Sequence, residues 1–181
     1  MAKDLYVGVD VGTSSIKVLF LSEDGSFSRK DEEKLTTVRA GNHAEQDARE
    51  YLIAIKKITA RHSDIIDSVK AIGLSGHTPS VVCIDHSGEP TMPVMIWQDN
   101  RAEKEANELA EKFKNPVDTI GTSLPWAASA CPAKLLWIHR NLPEVQSKTA
   151  WVLQPKDFVG FALTGEAISD PWSSKGLCNV L

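Results

Sequence analysis

Gly8-Val9-Asp10-Val11-Gly12-Thr13-Ser14-Ser15-Ile16-Lys17 is the stretch on which the reading of this chain turns. Before the turn residues Leu5, Val7 and Val9 alternate with Tyr6, Gly8 and Asp10; after them Ile16, Val18 and Phe20 alternate with Lys17, Leu19 and Leu21. Period-two alternation on both sides predicts two strands, and the small residues between them predict the tight turn of an antiparallel hairpin. A strand follows the glycines where a Walker loop or a dinucleotide fingerprint needs a helix, so neither motif is present. The chemistry still suits phosphate. Backbone N–H groups of a Gly/Thr/Ser turn can converge on an anion, and hydroxyls add donors without bulk. Lys17 adds a cation if its side chain points to the open side of the turn, and Asp10 can hold Mg²⁺ through water and so bridge phosphate oxygens. An ordinary hairpin with a polar turn would carry the same residues.

Outward from the hairpin, Glu23-Asp24-Gly25-Ser26 supplies a second turn, and a polar third strand ending near Val38 completes a meander. Glu45-Gln46-Asp47 places acidic groups at the start of a helix whose Ala48, Leu52, Ile55 and Ile58 (or Thr59) recur at helical spacing. Val69 to Leu74 and Val81 to Ile84 read as buried strands separated by Gly76-His77-Thr78-Pro79-Ser80, and Val94 to Trp97 as a further strand running into Gln98-Asp99-Asn100-Arg101. Ala102, Ala106, Leu109 and Phe113 mark one face of a second helix, stopped by Asn115-Pro116. Pro132 opens a third helix closed by Asn141-Leu142-Pro143, and Pro155 opens a last one ending at Thr164-Gly165. The pattern predicts an α/β domain with a mixed sheet.

The chain has 181 residues, 42% of them hydrophobic and 24% charged, with a formal net charge of −4. That length suffices for one compact domain and is too short for a large two-domain enzyme. Mild acidity gives no reason to expect nucleic acid, and no apolar run is long enough to span a membrane. The apolar run after Met1-Ala2-Lys3-Asp4 is too short for the core of a signal peptide, which makes cytoplasmic residence the expectation. Cys83, Cys131 and Cys178 have neither metal-ligand nor redox spacing and read as reduced, mostly buried thiols.

The opening decapeptide resembles the first phosphate motif of the actin-like ATPase superfamily, in which a β-hairpin cradles nucleotide phosphates. Further segments resemble one branch of it, the FGGY carbohydrate kinases: Ile72-Gly73-Leu74-Ser75-Gly76, Asp85 with Gly88, and Pro93-Val94-Met95-Ile96-Trp97-Gln98-Asp99-Asn100-Arg101. Later markers are Lys134-Leu135-Leu136-Trp137 with Asn141-Leu142-Pro143-Glu144, and Leu153-Gln154-Pro155-Lys156-Asp157-Phe158 with Leu163-Thr164-Gly165-Glu166; Ala44-Glu45-Gln46-Asp47 is similar to the family's pre-helix signature. The order of these motifs is more specific than any one of them. The resemblance implies a ribonuclease-H-like α/β fold and ATP-dependent, Mg²⁺-assisted phosphorylation of a sugar or polyol. It implies that Asp10 positions Mg²⁺ and the transferring phosphoryl group, and that Gly12, Thr13, Ser14 and Ser15, with Lys17, form the phosphate cradle. Gly76, His77, Thr78, Trp97, Asp99 and Arg101 would border the sugar. Without the family, Trp97 and Arg101 read as strand-end packing and a surface ion pair.

Where xylulokinases continue Gln-Met-His and glycerol kinases Gln-Arg-Glu after Ser75-Gly76, this chain has His77-Thr78-Pro79. His77 either meets a hydroxyl of an unusual polyol or is a plain loop histidine. Asp170-Pro171-Trp172-Ser173-Ser174-Lys175-Gly176 resembles another family segment, with proline and lysine intruding, and receives no role. The family's general base and its adenosine motifs follow the segments matched here. The chain is therefore expected to be the first domain of such a kinase, incomplete, lacking the C-terminal nucleotide-binding domain and inactive alone. A face left by that domain is expected to self-associate. A non-catalytic sugar-binding module and an actin-like assembly ATPase are the alternatives.

Overall fold

The computed structural model describes residues 4–115, 117–118 and 126–174. The helix stop at Pro116, the amino-terminal Met1-Ala2-Lys3, Lys175-Gly176 and Cys178 lie outside the described residues.

The expected hairpin is β1 (Leu5–Val11) and β2 (Ser15–Ser22), paired antiparallel with Gly8 opposite Leu19 and Asp10 opposite Lys17. β3 (Ser28–Lys34) adds antiparallel to β2, and β6 (Val69–Gly76) adds parallel to β1, giving a mixed sheet of order β3-β2-β1-β6. Val7, Val9, Val11, Ile16, Val18 and Phe20 point to one face and are buried. That face is covered by α1 (Ala48–Arg61) and by the last helix, α5 (Pro155–Thr164). Removal of these apolar side chains from water supplies the main driving force of the fold.

The third strand ends at Lys34 and does not reach Val38. Val38 instead opens β4 (Val38–Ala40), which pairs with β5 (His43–Gln46), and β5 pairs with β8 (Val94–Met95) in a second sheet. Glu45 and Gln46 thus belong to a strand; only Asp47 stays with α1, where its carboxylate caps the Arg49 N–H at 2.9 Å. The buried face of α1 runs through Ala48, Tyr51, Ala54 and Ile58, one step round from Leu52 and Ile55, which are partly buried. β6 lies at a sheet edge and is largely exposed, which corrects its reading as a buried strand; β7 (Val82–Ile84) is fully buried and pairs with β9 (Trp151–Leu153). The remaining elements include α2 (Glu103–Lys112), α3 (Cys131–Asn141), α4 (Pro143–Lys148) and a short 3₁₀ helix at Ile66–Ser68. Gly165, with φ 78°, takes the left-handed conformation that ends α5.

The second face of the main sheet is open. Its cross-strand rows read Ala71-Tyr6-Leu21-Ser28, then Gly73-Gly8-Leu19-Lys30, then Ser75-Asp10-Lys17-Glu32. The paired glycines leave a trough of about 800 Å³ that ends at Asp10 and Ser75. Among the described residues no helix is long and apolar enough to cross a membrane.

Candidate functional site

β1 and β6 run parallel, so their carboxyl ends put Asp10, Ser75 and His77 side by side, the place where open α/β sheets take ligands. Ser75 Oγ donates to Asp10 Oδ1 at 2.9 Å, and the His77 N–H continues the ladder to Val11 O at 3.0 Å. Between the hairpin strands Gly12 N–H donates to Ser15 O at 3.1 Å; a side chain on Gly12 would place Cβ 2.9 Å from that oxygen. The carbonyls of the turn are drawn into the protein. Thr13 O accepts from Gln46 Nε2 at 2.6 Å and Ser14 O from Leu35 N at 2.9 Å. Lys17 stands exposed on the open face beside Asp10.

Trp97 is 43% exposed, and its Nε1–H donates to Thr13 Oγ1 at 2.9 Å. Trp97 and the Gly12–Ser15 turn are therefore one hydrogen-bonded unit. Asp99 and Arg101 have other occupations. Asp99 is fully buried, taking Ala44 N–H at 2.7 Å on Oδ2 and Arg101 Nε at 2.9 Å on Oδ1. Burial opposes its charge, but the bonds from Arg101 and Ala44 prevail and hold its pKa below the ordinary carboxylate range. Arg101 also donates to Glu45 at 2.6 Å and lies over the Trp137 ring at 5.0 Å. Both side chains hold the segment that presents Trp97 rather than facing solvent.

His77 Nδ1 pairs with Ser80 Oγ at 2.9 Å, while Nε2 is enclosed without a partner among the described residues. Burial, with the positive charge of Lys134, pushes its pKa down to about 4, so the ring is neutral at neutral pH. Gly76 is hemmed by Lys156 Cβ and Val11, both within 3.2 Å of where its own Cβ would stand, which keeps the strand end slim next to His77. Thr78 is partly buried and precedes a cis peptide bond to Pro79.

Several residues that position this site were not singled out from sequence. Lys134, fully buried, donates to the carbonyls of Pro79, Met95 and Ile96 at 3.1, 3.2 and 2.8 Å, tying the His77 loop to the strand that leads to Trp97. Gln154 Oε1 accepts from Ser80 N–H at 2.9 Å. Lys156 bridges Asp157 at 2.5 Å and Asp170 at 2.8 Å, and Asp170 Oδ1 caps the N–H groups of Trp172 and Ser173 at 2.9 Å. The segment left without a role is thus clipped to the start of α5. Its signal was the Pro155-Lys156-Asp157 run, an evident helix start whose lysine could not be assigned a partner from spacing.

One carboxylate and one hydroxyl make an incomplete cation site, and among the described residues no three His, Cys, Asp or Glu side chains gather to hold a metal. A single hard carboxylate does fit Mg²⁺ that arrives on phosphate oxygens and keeps most of its water.

The model of the FGGY family of carbohydrate kinases, N-terminal domain, matches residues 5–178. The xylulose kinase of Escherichia coli (strain K12) is 31% identical over 177 residues, covering 95% of this chain and 36% of that one. The xylulose kinase of Lactococcus lactis is 27% identical over 170 residues, with coverage of 91% and 34%. Among solved structures, a xyloylose kinase from Brucella ovis superposes with a TM-score of 0.82 at 29% identity, over 92% of this chain and 35% of the other. A ligand-bound xylulose kinase from Lactobacillus acidophilus gives 0.86 at 22% identity, over 97% and 37%, a likeness of fold. The chain spans about a third of the length of the curated relatives it matches.

Proposed function

Because the chain belongs to the FGGY family of carbohydrate kinases, we propose that it supplies the phosphate hairpin and the sugar wall of a kinase that phosphorylates a ketopentose of the xylulose kind. The observation that carries this reading is the Trp97–Thr13 hydrogen bond of 2.9 Å, which joins the two half-sites through side chains that neither strand needs for its own pairing. Asp10, at the end of β1, is the carboxylate that would hold Mg²⁺ on the phosphates, and the N–H groups of Thr13 and Ser14, with Gly12 and Ser15 shaping the turn, would receive phosphate oxygens. Lys17 neutralises charge as a compact ammonium, without the two-pronged bonds of an arginine. Bound Mg²⁺–ATP supplies the phosphoryl group and screens its charge. Trp97 offers its face to sugar C–H groups, and Gly76, neutral His77 and Thr78 line the approach. Asp99 and Arg101 act behind Trp97, fixing its backbone.

This reading places the proton-accepting carboxylate and the adenosine wall outside these 181 residues. Phosphoryl transfer needs acceptor, base and nucleotide held together, so the chain alone is expected to bind without turning over. Calorimetry with xylulose tests this: Trp97→Ala is expected to weaken binding about tenfold or more, while a coupled assay shows no ADP release above background. Turnover at ordinary enzyme rates, or sugar affinity indifferent to Trp97, would overturn it. Sugar affinity combined with no phosphate binding would favour the non-catalytic module.

The reading extends to the open sheet face. Tyr6 and Leu21, 42% and 39% exposed, stand in one row across it, beside Leu19. Such a face is expected to associate with a second copy of the chain. Sedimentation velocity should show a concentration-dependent dimer; a monomer throughout the micromolar range contradicts this.

A further inference from the structure

A turn that binds an anion must show it N–H groups and hide its carbonyl oxygens, whose partial negative charge would repel phosphate. In the hairpin turn the carbonyl of Thr13 is hidden by one side chain, Gln46, which is 2% exposed and comes from β5 in the neighbouring sheet. Its amide is fully used: Nε2 donates to Thr13 O at 2.6 Å and to Thr37 Oγ1 at 2.9 Å, and Oε1 accepts from Tyr51 OH at 2.7 Å. Tyr51 is itself completely buried on α1 and has its pKa raised by burial. Its phenol stays protonated across the physiological range and donates to Oε1, while the Thr13 carbonyl can only accept; together they fix the amide with its NH₂ on Thr13 O.

We propose that Gln46, oriented by Tyr51, is a positioning residue that sets the polarity of the phosphate turn: it holds the Thr13 carbonyl inward, so that the Thr13 and Ser14 N–H groups face the ligand. The inference rests on the phosphate-binding reading of the hairpin. It adds a residue outside that hairpin, on a strand of another sheet, whose chemistry decides whether the turn attracts or repels an anion. Glutamine is suited to this because it donates to a carbonyl and accepts from a phenol with one planar group. Glutamate in the same place would present an oxygen to Thr13 O.

The probe is inorganic tripolyphosphate with Mg²⁺, titrated into the ¹⁵N-labelled 181-residue chain while the Thr13 and Ser14 amide resonances are followed. Gln46→Met keeps length and burial but removes both donors. Thr37→Val removes the other acceptor of the same amide and leaves the Thr13 bond in place, so it reports the loss of a part-buried hydrogen bond of Gln46 without touching the turn. Expected are shifts at Thr13 and Ser14 in the wild type, affinity weakened about tenfold or more in Gln46→Met, and affinity within about twofold of wild type in Thr37→Val. Gln46→Met and Thr37→Val weakening binding equally would assign Gln46 a general packing role and overturn the inference, as would unchanged affinity in Gln46→Met. A wild-type chain whose turn amides ignore tripolyphosphate would overturn the phosphate reading itself and the inference with it.

Discussion

Replacing Lys134 by alanine is expected to destabilise the chain by about 3 kcal/mol in urea unfolding at pH 7. The side chain is fully buried on α3 and has no carboxylate partner among the described residues; its ammonium is satisfied by the carbonyls of Pro79, Met95 and Ile96. Burial pushes its pKa down to about 8, with Cys131 and Asp99 drawing it up and Arg101 drawing it down, so at pH 7 it still holds the proton that the third bond requires. Hydrogen bonds to a charged group contribute about 1.5–3 kcal/mol each, offset in part by the cost of burying the charge. Met95 O and Ile96 O keep backbone donors from Val81 and Asp99, so Pro79 O is left barest by the change. Alanine also leaves a void where the stem lay. Methionine, which fills the space and brings no charge to bury, should lose less than half as much. A loss under about 1 kcal/mol in Lys134→Ala would show that the three bonds do not hold the Trp97 strand to the His77 loop.

The second large effect is a pH dependence. His77 has its pKa lowered from 6.5 to about 4, first by burial and then by the charge of Lys134, against a smaller pull from Asp10. Between those values the unfolded chain binds a proton that the native chain refuses, so stability falls as pH drops from 6.5 toward 4 and levels off below. Linkage puts the full loss at about 3 kcal/mol. The lowered carboxylates act in a different window: Asp31, held down to about 2 chiefly by its bond from Arg61, contributes stability that disappears only below its ordinary value of 3.8. His77→Gln should therefore flatten the decline between pH 6.5 and 4 while leaving the steeper acid limb in place, as read from urea midpoints across that range. Parallel profiles for wild type and variant would contradict the burial of a neutral ring.

The hairpin, its turn and the start and stop of α5 are legible in the sequence because each is set locally: alternation fixes the faces of β1 and β2, and Pro155 and Gly165 bracket a helix by backbone geometry alone. Gln46 was misplaced because acidic residues before an apolar periodic run suit a helix start equally well; what makes a strand of His43–Gln46 is its pairing with Val94 and Met95, about fifty residues away in sequence. β6 is expected from its apolar composition to be buried, yet burial depends on what covers each face, and among the described residues no helix covers the open side of this sheet. The motif Trp97-x-Asp99-x-Arg101 reads in sequence as one segment bordering a sugar, and sequence cannot divide its labour. Only the arrangement shows that Asp99 and Arg101 are occupied with each other, Ala44 and Glu45, leaving Trp97 to face outward. Lys134 stands in the sequence at the head of a family marker but with no role attached, since a buried cation satisfied by backbone carbonyls leaves no complementary acid to find.

The central claim is that the Gly12–Ser15 turn and Trp97 form one site with a phosphate end and a sugar end, coupled through the Trp97–Thr13 bond. The most direct measurement is a two-ligand NMR titration of the ¹⁵N-labelled chain with Mg²⁺–ATP and with xylulose, added separately. The account predicts that ATP shifts the amides of Gly12 to Ser15, that xylulose shifts the Trp97 indole N–H and the His77 ring, and that each ligand also moves Thr13, which is bonded to both ends. Shifts lying elsewhere, or a Thr13 that answers only one ligand, would contradict it.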